Sequence, residues 1–354
     1  MTNSAQERAD RKLALVIGAT GSFGGHAVSA LIKHGWRIRA LARDPAAAAL
    51  KAGPLMPIEW VEGDGLNAED VMRAARGVAA IVHAANPPKY HNWPGLVLPM
   101  LEATIAAAVC EKARIIFPAS VYNFSPDAGP RIAEDARQAP ATRKGAIRVE
   151  AEARLKAASE AGARVLVLRA GDFFGPAAPN GPLTWLVNGR AGRVRSVYAP
   201  GPVDVGHAFA YLPDLAETMA RLMDREEDLA DHEVFHFAGH WLARGDELAK
   251  AVRRAAGDPK IPMRPFPYPL IIALSPFVEM FRELLEMRYL WRKPIGLDDA
   301  KLRAFLGEVP ATRLDAAVRE TLADRGLLNP ARGGALRGGE TGRGRPQTLD
   351  AAHV

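Results

Sequence analysis

Short apolar runs alternate with amphipathic stretches through the first two-thirds of the chain. Leu13–Ile17, Arg37–Leu41, Ile58–Val61, Ala80–His83, Arg114–Phe117 and Arg164–Leu168 read as strands. Between them, apolar positions near 23–34, 67–76, 95–111 and 142–161 recur at the three- and four-residue spacing of helices that bury one face. Strands apolar on both faces, linked by helices, predict an α/β fold of Rossmann type, a doubly wound parallel sheet covered on both sides. Such a sheet takes ligands at the carboxyl ends of its strands, where the strand order reverses.

Past residue 176 the rhythm breaks. The connections GPAAPNGP and YAPGPVDVG separate short elements, with helices expected at 212–225 and 244–256 and a strand near Val234–Phe237. Pro262–Trp291 is the most aromatic and apolar stretch, yet its prolines and Glu279, Arg282, Glu283 and Glu286 argue against a membrane span. A helix from 276 to 291 with one apolar face reads as a cap over a pocket. The expected organisation is an α/β core over 12–176 and a smaller, discontinuous C-terminal cap over 177–328. A disordered basic tail is expected over 329–354.

Composition narrows the function classes. With 48% hydrophobic and 24% charged residues, the chain of 354 residues is an ordinary globular one. Its 46 Lys+Arg against 40 Asp+Glu give a net +6 that is scattered, with no aromatic–basic motif, so no nucleic acid is expected as a partner. Cys110, the one cysteine, excludes an intrachain disulfide framework and a cysteine-ligated zinc, and with a polar start to the chain it fits a cytoplasmic protein. His232, His236 and His240 recur every fourth residue, but in a strand such neighbours stand about 13 Å apart, so no metal is expected.

After the first strand stands Gly18-Ala19-Thr20-Gly21-Ser22-Phe23-Gly24, opening a helix. Gly18 lets the chain turn off the strand, Gly21 lets main-chain N–H groups approach a pyrophosphate, and Gly24 lets the helix pack on the sheet. The start of the helix offers those N–H groups with a partial positive charge. Cofactor choice is read at the end of the second strand, where an acidic residue would hold the ribose 2′-hydroxyl of NAD. Arg43 stands there instead and matches a 2′-phosphate, which favours NADP, while the following Asp44 keeps NAD open. Asp64, after the third strand, is set to accept from the adenine amino group, and Asn86 shapes the loop beside the nicotinamide ribose.

These residues resemble the extended short-chain dehydrogenase/reductases, the NAD-dependent epimerase/dehydratase group. The resemblance covers nearly 12–328. Its markers are the spaced glycines, Asp64, His83-Ala84-Ala85 at the fourth strand's end, Phe117-Pro118-Ala119-Ser120, Leu168–Pro176 and Tyr211–Ala216. It implies a nicotinamide dinucleotide held by Gly18, Thr20, Gly21, Ser22, Phe23, Gly24, Arg43, Asp64, Ala84, Ala85, Asn86 and the start of the 142–161 helix at Lys144. It also implies a homodimer through the helices near 95–111 and 142–161.

The resemblance implies a catalytic tyrosine, a lysine four residues later on the same helix face, and an upstream serine. Ser120 fills the serine place, but Lys144 stands where the tyrosine belongs and Arg148 where the lysine belongs. Three readings stay open. Lys144 is itself the acid, its charged form disfavoured by Arg148 one turn away, as isoflavone-reductase-like relatives use a lysine. Tyr122, projecting from the same strand end as Ser120, donates the proton. Or nothing replaces the tyrosine, and the chain is a nucleotide-binding regulatory or assembly protein without turnover. The expected activity is NADPH-dependent reduction of a small apolar carbonyl or enone, with sugar-nucleotide epimerisation or dehydration as the alternative.

Overall fold

The computed structural model describes residues 12–53, 56–87 and 91–328. Its centre is a sheet of seven strands in the order β11-β6-β5-β4-β1-β2-β3, all parallel. The strands are β1 (Leu13–Ile17), β2 (Arg37–Ala42), β3 (Ile58–Glu62), β4 (Ala80–His83), β5 (Arg114–Ser120), β6 (Arg164–Ala170) and β11 (His232–Phe237). All of β1 is buried, as a strand flanked by two others and covered on both faces must be. The six strands read from the pattern are present, with β5 and β6 running on to Ser120 and Ala170. The chain winds from β1 out to β3 and returns on the other side with β4, so the order reverses between β1 and β4.

Helix α1 (Ser22–Lys33) packs with α7 (Leu212–Asp224) on one face, and α3 (Ala68–Ala75), α4 (Trp93–Glu111) and α5 (Arg143–Glu160) cover the other. Helix α4 is long and apolar enough to cross a membrane, but Leu101, Ala107 and Ala108 bury one side of it in the core of this layer. Helix α2 (Pro45–Ala52) was not foreseen. Asp44 caps it by accepting from Ala47 N–H, and Pro45 opens it with the backbone angle a first turn requires.

The remaining elements form two small sheets, β12-β10-β7 and β13-β9-β8. They comprise β7 (Asp172–Phe174), β8 (Val187–Arg190), β9 (Arg193–Ala199), β10 (His207–Tyr211), β12 (His240–Leu242) and β13 (Met263–Pro265). With α6 (Pro182–Leu186), α8 (Glu247–Ala256) and α12 (Leu314–Asp324) they enclose a separate core around Phe174, Leu186, Tyr211, Leu248, Val252 and Val318. Helix α11 (Ala300–Leu306) packs on β11. The single helix expected over 276–291 is instead α9 (Tyr268–Leu274), α10 (Glu279–Glu286) and a 3-10 turn at Met287–Trp291. Pro276 has no N–H to return to Ile272, so the first helix stops and the chain turns before Glu279. The tail expected over 329–354 lies outside the described residues.

Candidate active site

The turn after β1 is fixed by backbone contact. Gly18 has φ +90°, and a Cβ on it would sit 2.8 Å from the carbonyl of Ala84, so the chain passes directly against the end of β4 and Ala85. A Cβ on Gly24 would lie 2.1 Å from Gly18 O, so α1 is pressed onto the turn itself. Gly21 stands at the helix cap without a side chain, and Gly25 N–H is the first to bond back, at 2.9 Å. The N–H groups of Ser22, Phe23 and Gly24 therefore have no partner inside the helix and suit an anion. Phe23 turns its ring into the core beside Phe173, so only its backbone faces the mouth.

Around this turn the charges are arranged by local hydrogen bonds. Asp44 spends its carboxylate on capping α2, while Arg43 next to it is exposed. Lys51, on α2, donates to Thr20 O at 2.8 Å and brings a second cation to the turn. Asp64 accepts from Leu66 N–H through Oδ1.

Helix α5 is anchored by a buried pair. Arg169 of β6 meets Glu152 at 2.6 Å, and Asn123 and Gln138 donate to the same carboxylate at 2.8 and 3.0 Å. Arg148 lies one turn before Glu152. Its guanidinium sits 5.0 Å from the Trp93 ring and 5.4 Å from the Phe117 ring, with Nη2 3.4 Å from Asn86 Oδ1. Burial, with the Arg148 charge adding to it, pushes the His83 imidazole down to about 3, so it is neutral. Its Nδ1–H donates to Thr104 Oγ1, whose own hydroxyl donates to Met100 O.

Lys144 is buried, and its ammonium is held by carboxylates from α10: Glu286 at 2.6 Å and Glu283 in a second ion pair. Arg143 reaches Glu283 as well, at 3.2 Å. Lys144 and Arg148, one turn apart on α5, have different named partners. One cation ties the first turn of α5 to the cap, and the other faces Asn86. Burial pushes the Glu286 carboxyl up, but the hydrogen bond and charge of Lys144 outweigh it and hold it below the ordinary range.

Ser120 ends β5, and its Oγ accepts from Tyr122 N–H at 3.4 Å. Tyr122 in turn donates to Asp172 Oδ1 at 3.4 Å, and Asp172 Oδ2 lies 2.9 Å from His207 Nε2. His207 Nδ1 donates to Leu290 O at 3.1 Å, and the ring stacks flat on Trp291 at 3.7 Å. A Cβ on Gly145 would fall 2.3 Å from Tyr122 O, so this chain of groups lies directly beneath the opening of α5. Behind His207 an apolar cavity is lined by Leu186, Val197, Tyr198, Phe209 and Leu242.

Ser120, Tyr122, Lys144 and Arg148 thus gather at the β5–α5 corner, while Gly18, Thr20, Gly21, Ser22, Phe23, Gly24, Arg43, Asp64, Ala84, Ala85 and Asn86 ring the β1, β2, β3 and β4 ends. Sequence reading missed Asp172, Glu283 and Glu286 as partners. Their contacts span 35 to 142 residues, and no local spacing announces them.

The sequence model of the NAD dependent epimerase/dehydratase family matches residues 14–238, more than half of the chain. No curated protein matches the sequence. Among solved structures, a putative epimerase from Burkholderia cenocepacia is similar, with 20% identity and a TM-score of 0.71 over 89% of this chain and 98% of that one. UDP-glucose 4-epimerase from Bifidobacterium longum, in complex with NAD+ and UDP, aligns over the same shares with 16% identity and a TM-score of 0.68. UDP-glucuronic acid 4-epimerase from Bacillus cereus, in complex with NAD, has 14% identity and a TM-score of 0.68 over 90% of this chain and 100% of that one. At such identities the structures establish the shared fold, and the sequence model establishes more: this chain belongs to the NAD-dependent epimerase/dehydratase family of enzymes.

Proposed function

We propose that the protein removes and returns hydride at a hydroxyl-bearing carbon of a sugar nucleotide, with NADP as its dinucleotide. The family match and the ligands named for the similar structures support the substrate class. Exposed Arg43, with Lys51 beside Thr20 and Asp44 committed to its cap, supports a 2′-phosphate over a bare ribose. The turn at Gly18–Gly24 would hold the pyrophosphate, and Arg148 with Asn86 the ribose near the nicotinamide. The bound dinucleotide would supply the hydride acceptor.

One observation carries the assignment of the proton path. Lys144 is committed to Glu283 and Glu286, whereas Tyr122, beside Ser120, joins Asp172 and His207. Ser120 would hydrogen-bond the reacting oxygen. As hydride leaves the carbon, the hydroxyl proton passes to the Tyr122 oxygen while the Tyr122 proton moves toward the Asp172–His207 pair. The reverse transfer restores both. Arg148 and Lys144 are positioning residues in this account, and a homodimer through α4 and α5 is compatible with it.

A second reading, NADPH-dependent reduction of a small apolar carbonyl or enone, draws on the apolar wall of Tyr198, Phe209 and Trp291 near His207. The two readings separate in one experiment. NADP-loaded protein is mixed with a panel of UDP-sugars, and NADPH-loaded protein with a panel of apolar carbonyls. A sugar product of altered configuration, with no net change in reduced cofactor, is the expected result. Stoichiometric NADPH consumption by carbonyls alone would favour the second reading, and silence in both panels would overturn hydride chemistry here.

A further inference from the structure

Five of the eight large apolar side chains that stand exposed among the described residues fall between 270 and 280. Phe277 is 85% exposed and Leu270 60%, with Ile272, Leu274 and Met280 beside them. From Pro265 to Val278 the sequence holds no charged residue. Helix α9 turns only Ile271 fully inward, so most of its surface is apolar and faces solvent. A patch of this kind marks a surface that something covers.

The sheet from which α9 grows carries the complementary feature. Phe266 N–H, two residues before α9, donates to Ala199 O at the end of β9. Along β8, β9 and the approach to β13, Arg190, Arg193, Arg195 and Lys260 line one open cleft with Asp258. None of these four cations forms an ion pair with a described residue, whereas Arg39, Arg154, Arg254 and Lys301 elsewhere on the surface each do. Arg190 and Arg193 face each other directly across the β8–β9 turn, where Ala191 adopts φ +50°. Like charges opposite one another, beside a strained turn, do nothing for local stability. Arg195 and Arg193 lie about 13 and 20 Å along β9 from Ala199, where the chain meets the base of α9.

We propose that α9 and the turn after it dock on an anionic lipid bilayer. The ridge of Leu270, Leu274 and Phe277 enters the boundary between headgroups and acyl chains, and the cations of the β8–β9 hairpin meet the lipid phosphates. This is a surface contact and spans nothing. It stands independently of the chemistry proposed above.

The test is co-sedimentation of the full chain with vesicles of phosphatidylcholine alone and of phosphatidylcholine mixed with phosphatidylglycerol. Binding to the mixed vesicles only, weakening as salt rises, is expected. Phe277→Glu should reduce it by about tenfold or more, and so should the double substitution Arg193→Glu, Arg195→Glu. Both sites are exposed, so the variants should keep the parent circular dichroism. Four results would overturn the proposal, the first two being no binding to mixed vesicles and binding indifferent to Phe277→Glu. The third is a dimer in sedimentation velocity that Phe277→Glu dissociates, which would assign the patch to a second copy. Tripolyphosphate binding without vesicle binding would likewise assign the cleft to a soluble anion and overturn the lipid.

Discussion

The turn after β1 and the opening of α5 stand at the same end of one sheet, yet they are built on different terms. The turn is a backbone object: Gly18 and Gly24 permit contacts that any Cβ would block, and the ligand-facing groups are main-chain N–H. The opening of α5 is a side-chain object. Its character depends on carboxylates that arrive from α10 and on a buried pair that arrives from β6. A site made of backbone is written in glycine spacing, whereas a site made of side chains is decided by whatever the rest of the chain delivers to it.

Breaking the anchor of α5 should have the largest effect. Arg169→Met leaves Glu152 charged and buried, and should cost about 3–5 kcal/mol in urea unfolding. A loss near zero would mean that α5 holds its place without the pair. Gly18→Ala should come next. It forces a side chain into a left-handed backbone and against Ala84, and dinucleotide affinity by calorimetry should fall by about a hundredfold, equivalent to about 2.7 kcal/mol. Unchanged affinity would remove the ligand from the turn.

Arg43→Ala sharpens the same side of the comparison. Losing one charge-assisted contact should weaken NADP by about tenfold and leave NAD unaffected. Equal weakening of the two would refute the phosphate assignment.

A further effect is on acid stability. His83 is pushed down to about 3 by burial and Arg148, and His236 to about 4 by burial and Arg169. Each binds its proton more weakly folded than unfolded, so stability is full above the ordinary value of 6.5 and is lost as pH falls from there toward 4 and 3. The slope should reach up to about 1.4 kcal/mol per pH unit for each histidine. His83→Gln should flatten it in a series of urea titrations, and an unchanged slope would place the proton uptake elsewhere.

The parallel sheet was legible because its central strands β1, β4, β5 and β6 are buried on both faces and read as apolar runs. Helix α2 was legible in principle, since Asp44-Pro45 is a cap followed by a first-turn proline. The cap was far less so. Most of its strands are short and only partly buried, its sheets have three members each, and Pro276 divides what looks like one amphipathic helix. Lys144 was singled out in the sequence, but its partners lie 139 and 142 residues away. Tyr122 and His207 converge on Asp172 from separations of 50 and 35 residues, so only the fold joins them.

Hydride transfer in a single turnover tests the central claim most directly. NADP-loaded Tyr122→Phe and Lys144→Met proteins are mixed with whichever UDP-sugar the parent turns over, and reduced nicotinamide is followed by absorbance. The account predicts transfer slowed by about a hundredfold or more in Tyr122→Phe and close to the parent rate in folded Lys144→Met. Parent-like transfer in Tyr122→Phe, with none in Lys144→Met, would contradict it.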